Sequence, residues 1–240
     1  MIATERPAPG QAIVYDPAQI AHIDANSFTA SNWPAAQPVE ADRGGRGSAW
    51  FVGRDGTNFV LRHYRRGGLP GRLVRDRYWF VGEATTRSFA EWHLLQHLVS
   101  LGLPVPSPVA AHYRRSGFFY TADLITARLP DVVSLAQRLQ ESADHSAVCR
   151  EVGSTIHRFH HAGLWHADLN ANNIQLNEAS VWLIDFDRSR LQAKPVDGQA
   201  NLRRLSRSLR KLAAQASTID AAAAIRDIHY GYAQASDVLA

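Results

Sequence analysis

The stretch from His166 to Asp187, HADLNANNIQLNEASVWLIDFD, restricts this chain more than any other. Asp168 and Asn173 stand five residues apart, a run that reads as strand follows (Val181, Trp182, Leu183, Ile184), and Asp185, Phe186 and Asp187 close it. A loop of this make-up offers one carboxylate that can orient an attacking hydroxyl and take its proton. It also offers two oxygen donors, Asn173 and Asp185, suited to a hard cation such as Mg²⁺ on nucleotide phosphates. The plainer reading is a loop whose Asp and Asn residues only build turns and caps. Two such donors at fixed spacing, with a strand bringing back a third, are more specific than a single short motif.

The length, 240 residues, allows one large domain or two small lobes sharing a cleft, and the 45% hydrophobic content is that of a globular chain. The opening MIATERPAPG has no basic segment followed by an apolar run. No stretch approaches the roughly 20 apolar residues of a membrane span, so a cytosolic protein is expected. Cys149 is the single cysteine and permits no internal disulfide; a buried small hydrophobe is its expected role. A formal charge of +4 and a pI near 9.5 suit an anionic partner or surface. Of the 26 basic residues only Lys194 and Lys211 are lysines, which leaves 24 arginines. Arginine recognises phosphate through a bidentate fork, although genome base composition can produce the same bias.

Residues 1–38 carry Pro7, Pro9, Pro17, Pro34 and Pro38 with weak periodicity, and read as an arm or irregular edge. Glycines at 44, 45 and 47 precede a strand; only a backbone without Cβ can approach phosphate oxygens closely, so Gly45 and Gly47 are candidates for a phosphate-facing loop. Asp55-Gly56 signals a hairpin, and Asn58 to Tyr64 reads as the returning strand, with Val60, Arg62 and Tyr64 on one face. Arg65, Arg66, Arg72, Arg75 and Arg77 follow, with Tyr78, Trp79 and Phe80 behind them. Cations followed by interfacial aromatics suit anionic headgroups or a phosphorylated lipid; nucleic acid fits the charge alone, and a solvated basic loop is the plain alternative.

Ser88 is expected to cap a helix running to about Ser100, with Phe89, Trp92, Leu95, Leu98 and Val99 on one side, Glu91 in the first turn and Gly102 at its end. LPVPSP, residues 103–108, cannot be helical and leads into a strand pair whose second member is Phe118 to Ile125. Topology suggests that the backbone of Ala122 to Thr126 faces an adenine. A short helix over Leu135 to Leu139 precedes a longer one from about Ser146 to Ala162, with Val148, Val152, Ile156 and Phe159 inward and Gly163 as its stop. His157 and His161 are four apart, yet no further ligand set follows; His166 is expected to support the loop rather than act as base. Asn201 to Ala214 puts Leu202, Leu205, Leu209 and Leu212 on one stripe and arginines elsewhere. Such a helix can lie on an anionic membrane or pack on the core. Ile219 to Ala235 closes the chain as a helix.

HADLNANN followed by VWLIDFD, with VLRHYRRGGL and TRSFAEW upstream, resembles the 3-deoxy-D-manno-octulosonic acid (Kdo) kinases, in the lipopolysaccharide kinase group of the protein-kinase-like superfamily, from about Gly44 to Lys211. The choice of Kdo rests mainly on RHYRRGG and DLITARLP. The resemblance implies an α+β, protein-kinase-like two-lobe fold: an arm over 1–38, a small antiparallel-sheet lobe over 39–126 and a reduced, mainly helical lobe over 127–240. It implies ATP and Mg²⁺ as cofactors and the 4-hydroxyl of Kdo on Kdo-lipid IVA as acceptor, at the cytoplasmic face of the inner membrane. No nucleic acid and no protein partner are expected. By position, Asp168 is the base, Asn173 and Asp185 hold Mg²⁺, Gly45 and Gly47 cover the nucleotide, and Arg62, in the place of the usual lysine, pairs with Glu91. Arg65, Arg66, Arg72, Arg75 and Arg77 would bind the lipid's phosphates. Asn170 stands where protein kinases carry a second lysine. Ala167 replaces the arginine that reads a phosphorylated activation loop, against that form of regulation. A soluble small-molecule kinase of the sugar or aminoglycoside type, and a degenerate binding module, are the competing readings.

Overall fold

The computed structural model describes residues 2–39, 49–65, 76–141, 145–193, 195–216 and 218–238. Gly45, Gly47, Arg66, Arg72 and Arg75 lie outside them. The chain divides into two compact units, residues 1–96 with 106–128, and residues 97–105 with 129–240.

In the first unit the strands are β1 (Ala3–Glu5), β2 (Gln11–Tyr15), β3 (Gln37–Pro38), β4 (Ala49–Arg54), β5 (Thr57–His63), β6 (Tyr78–Trp79), β7 (Pro108–Ser116) and β8 (Phe119–Ala127), with the greater part of helix α1 (Arg87–Ser100) between β6 and β7. They pair antiparallel in the order β1-β2-β7-β8-β5-β4-β3, with β6 beside the start of β8. Asp55 and Gly56 both take positive φ, 52° and 78°, as a two-residue hairpin between β4 and β5 requires.

The side chains of β7 and β8 alternate between two faces. Tyr113 meets Phe89 of α1 on one, with ring centroids 5.3 Å apart, while His112 meets Phe28 on the other at 4.9 Å. Phe28 belongs to the segment expected to be an arm. That expectation is corrected: Ile13, Tyr15, Ile20, Ile23, Phe28 and Trp33 are core residues packed with Val52, Phe59, Leu61 and Ile125. The prolines interrupt periodicity but do not prevent burial, because short 3₁₀ turns at Ala25–Phe28 and Ala30–Asn32 satisfy the backbone, and Trp33 Nε1 donates to Ser27 O at 2.8 Å.

Two smaller expectations also change. Ser88 is not a cap: it is the second residue of α1, buried, and its hydroxyl donates to His112 O at 2.8 Å, tying the helix to β7. Glu91 therefore sits in the second turn of α1. Ala122 to Thr126 cannot present their backbone to an adenine, since β8 is a central strand bonded to β7 on one edge and to β5 on the other.

The second unit holds β9 (Val133–Ser134), α2 (Leu135–Glu141), α3 (Ser146–His161), β10 (Leu164–Trp165), β11 (Ile174–Leu176), β12 (Val181–Leu183), β13 (Arg190–Leu191), α4 (Gln199–Ala213) and α5 (Ala221–Val238). Strands β12, β11 and β9 form one small antiparallel sheet and β10 pairs with β13. Gly163, at φ 87°, ends the α3 segment, as its position predicts. Helices α3 and α5 touch at backbone distance: a Cβ on Gly153 would stand 2.0 Å from Ile228 O, and one on Gly231 2.0 Å from Arg150 O. On α4, Leu202, Leu205 and Leu209 are buried, so its apolar stripe serves the core and is not offered to a membrane. Among the described residues no helix is long and apolar enough to cross a membrane.

Candidate active site

Strand β10 delivers the chain to His166, the anchor of the loop. The His166 ring is buried; its Nε2 donates to Ile184 O at 3.1 Å and its Nδ1 accepts from the Asp168 amide at 3.1 Å. Burial holds the imidazole below its ordinary pKa, so it stays neutral and serves as a two-ended spacer between the loop and the residue before Asp185. Asn201 of α4, 1% exposed, grips the same residue by its backbone: Nδ2 donates to His166 O at 2.7 Å and Oδ1 accepts from His166 N at 3.1 Å. Asn201 Oδ1 also lies 3.0 Å from His160 Nε2.

The remaining loop closes on itself. Asn170 caps the 3₁₀ turn Ala171–Asn173, its Oδ1 accepting from the amides of Asn172 and Asn173 at 2.9 and 3.2 Å. The residue that replaces a kinase lysine is therefore structural here. Asn170 Nδ2 and Asn173 Nδ2 both donate to Asp168 O, at 3.0 and 2.9 Å. With Nδ2 so engaged, the side chain of Asn173 keeps Oδ1 as its acceptor atom. Ile184 N donates to Asn173 O at 3.0 Å and brings Asp185 to the loop. Asp185 has φ 62°, a left-handed conformation that costs a residue bearing a Cβ about 1 kcal/mol and that clusters where function requires it. Phe186 is buried against His166, with ring centroids 5.0 Å apart. The oxygens of Asn173 and Asp185 are hard donors of the kind Mg²⁺ takes.

Asp168 is half exposed, and its partner is a residue the sequence reading left on the solvent face of α4. Arg204 donates through Nε to Asp168 Oδ1 at 2.9 Å and through Nη2 to the same oxygen. The one signal in the sequence was helical spacing: Arg204 stands three residues after Asn201, on the side of α4 turned to the loop. Ser208, one further turn along, accepts from the Ala171 amide at 3.3 Å.

In the first unit Arg62 and Glu91 form the expected ion pair, with Glu91 buried. Tyr64 completes it: its hydroxyl donates to Glu91 Oε2 at 2.6 Å and accepts from Arg62 Nη2 at 3.0 Å, while the guanidinium lies 4.6 Å above its ring. The sequence reading missed a row of titratable side chains across β7, β8 and β5, buried at His112 and Asp123 and part-exposed at His63. Asp123 stands opposite His112 and His63, with Oδ1 2.6 Å from His63 Nδ1 and Oδ2 3.8 Å from His112 Nδ1. The hydrogen bond that His63 donates to the Asp123 carboxylate raises the His63 pKa. Arg65 and Arg77 are exposed.

A family profile described as "Kdo: Lipopolysaccharide kinase (Kdo/WaaP) family" matches residues 32–232. This chain belongs to that family. Among its relatives is the 3-deoxy-D-manno-octulosonic acid kinase of Xanthomonas axonopodis pv. citri, 44% identical over 92% of this chain and 89% of that one. The kinase of the same name from Vibrio vulnificus strain YJ016 is 40% identical over 83% and 85%. Solved structures of similar fold include WaaP in complex with acyl carrier protein, with a TM-score of 0.53 at 15% identity, covering 82% of this chain and 80% of that one. A glucosamine kinase matches with a TM-score of 0.55 at 13% identity, covering 99% and 82%. The lipopolysaccharide kinase family and these neighbours together give a kinase-like α+β fold, as the resemblance implies.

Proposed function

We propose that this family member transfers the γ-phosphoryl group of ATP to the 4-hydroxyl of Kdo carried on lipid IVA, in lipopolysaccharide core synthesis. The observation that carries the chemistry is the assembly of Asp168, Asn173 and Asp185 on one internally bonded loop. Relatives at 40–44% identity named for Kdo carry the choice of acceptor. The degenerate-module reading leaves that assembly without a purpose.

Asp168 orients the sugar hydroxyl. The hydroxyl oxygen bonds to the γ-phosphorus as the bond to the β-γ bridging oxygen breaks; the hydroxyl proton passes to Asp168, and ADP leaves. Both Arg204 bonds end on Oδ1, which leaves Oδ2 for that proton. Asn173 Oδ1 and the Asp185 carboxylate would hold Mg²⁺, which when bound neutralises charge on the nucleotide's phosphates. Arg62, steadied by Glu91 and Tyr64, is assigned to the α- and β-phosphates on the family pattern, and Gly45 and Gly47 to their covering loop. Arg65, Arg66, Arg72, Arg75 and Arg77 are assigned to the acceptor's phosphates.

The acceptor is lipid-borne, and we assign the membrane-facing side to the β6 and β7–β8 end of the first unit. There Trp79 (57% exposed) stacks on Phe118 (68%) at 5.5 Å, Val81 (75%) follows two residues after Trp79, and Arg77, Arg114 and Arg115 are exposed on the flanking segments. Apolar and aromatic side chains rimmed by arginine suit an anionic headgroup layer, on the cytoplasmic side of the inner membrane.

The test is phosphate transfer from labelled Mg²⁺·ATP to Kdo-lipid IVA, beside Kdo-free lipid IVA and an aminoglycoside, with co-sedimentation on anionic vesicles in the same preparation. Label is expected on the Kdo-bearing lipid alone, with Asp168→Ala slower by at least about 10²-fold, as for a lost general base. Label on the aminoglycoside instead, or undiminished turnover in Asp168→Ala, overturns the reading.

A further inference from the structure

Arg204 does more than its ion pair with Asp168 requires. A guanidinium presents two hydrogen-bonding edges that match a carboxylate, a side-on edge (Nε with Nη2) and an end-on edge (Nη1 with Nη2). The bonds to Asp168 use the side-on edge, both on Oδ1. The end-on edge is left by that pairing, on a side chain that is 46% exposed. Its position is rigid, because Asn201 and Ser208 pin α4 to the loop on either side of Asp168.

A guanidinium held beside the general base sets a fixed cation next to the place the acceptor hydroxyl must take. The arrangement becomes useful when the incoming molecule brings its own negative charge. A sugar acid does so: its carboxylate would be repelled by Asp168, Asp185 and Asp187, and it needs a cation beside the base. Resting on the acceptor class proposed above, we infer that Arg204 is the specificity-determining residue for an acidic sugar. Its side-on edge orients Asp168 and its end-on edge takes the acceptor's carboxylate, which sets the hydroxyl to be phosphorylated on Asp168 Oδ2. A neutral sugar has no group for that edge.

The experiment compares full-length wild type with Arg204→Gln and Arg204→Lys on two acceptors, Kdo-lipid IVA and the same lipid with the Kdo carboxyl reduced to the alcohol. Binding of free Kdo without nucleotide is measured by calorimetry in parallel. Losing a charge-assisted pair should raise the acceptor KM of Arg204→Gln by about 10- to 10²-fold and weaken Kdo binding similarly, with the KM for ATP little changed and a separate fall in kcat from the lost hold on Asp168. Reducing the carboxyl should cost the wild type the same factor and cost Arg204→Gln nothing further, the signature of two groups that act as a pair. Arg204→Lys should recover only part, since lysine offers one point charge and no fork. Two outcomes overturn the inference alone while wild type still labels the Kdo lipid. One is a fall in kcat at constant acceptor KM, which makes Arg204 only a positioning residue for Asp168; the other is fully additive losses from mutation and carboxyl reduction. If wild type turns over ATP but labels no Kdo acceptor, the acceptor reading fails and this inference falls with it.

Discussion

Replacing Asn201 by alanine should loosen the catalytic loop without touching a reacting group. The amide serves three partners, His166 N, His166 O and the His160 ring, and both histidines are nearly inaccessible. Each buried polar group left without a partner costs about 1–3 kcal/mol. Water entering the space vacated by the amide relieves part of this, so the lower end of the sum, about 3 kcal/mol, is expected. Against a total stability of about 5–15 kcal/mol this is a large share, and it corresponds to a fall in Tm of roughly 6–12 °C for a chain of this size. Asn201→Asp keeps the acceptor for the His166 amide but sets a carboxylate oxygen against the His166 carbonyl, and should stay impaired. Turnover should fall by at least about 10-fold at saturating substrates in both variants, because His166 fixes the Asp168 amide and displacements near 1 Å cost up to about 10²-fold. Urea and thermal unfolding, with steady-state kinetics on the same samples, provide the check. An Asn201→Ala protein within about 0.5 kcal/mol of wild type and equally active would mean that α4 does not hold the loop.

Two further outcomes follow from packing and titration. Gly153→Ala, which at an exposed helix position would gain up to about 1 kcal/mol, should here cost about 2 kcal/mol net, because its Cβ would meet Ile228 O of α5 at 2.0 Å; a raised Tm would contradict the close approach. Burial lowers the pKa values of His160 and His166 below the ordinary 6.5, so each stays neutral in the fold while the unfolded chain takes up a proton. Their contribution is present above about pH 6.5 and is lost as pH falls through that value, so the urea midpoint should drop between pH 7.5 and 5.5. His63, raised by the hydrogen bond it donates to Asp123, acts oppositely: its contribution is full below about 6.5 and is lost as pH rises. Removing it in His63→Gln should steepen the acid loss, and an unchanged slope would count against the assignment.

The sequence by itself determined what lies within reach of backbone periodicity. The five-residue step from Asp168 to Asn173, the strand before Asp185, the Asp55-Gly56 hairpin, the leucine stripe of α4 and the pairing of Arg62 with Glu91 are set by residue type at short spacing, or by a motif whose spacing stands for a fold. Other features come from residues far apart in the chain, and only the tertiary structure decided them. Proline masked the periodicity of residues 1–38, and their burial became visible only when β2 paired with β7, about a hundred residues away. Gly153 and Gly231 look like helix breakers until α3 and α5 meet at backbone distance. Arg204 differs from Arg203 and Arg207 only in its helical spacing from Asn201, which points nowhere until α4 meets the loop. The rotation of α4, fixed by Asn201 on His166 and by buried leucines, is what aims that one guanidinium at the catalytic carboxylate.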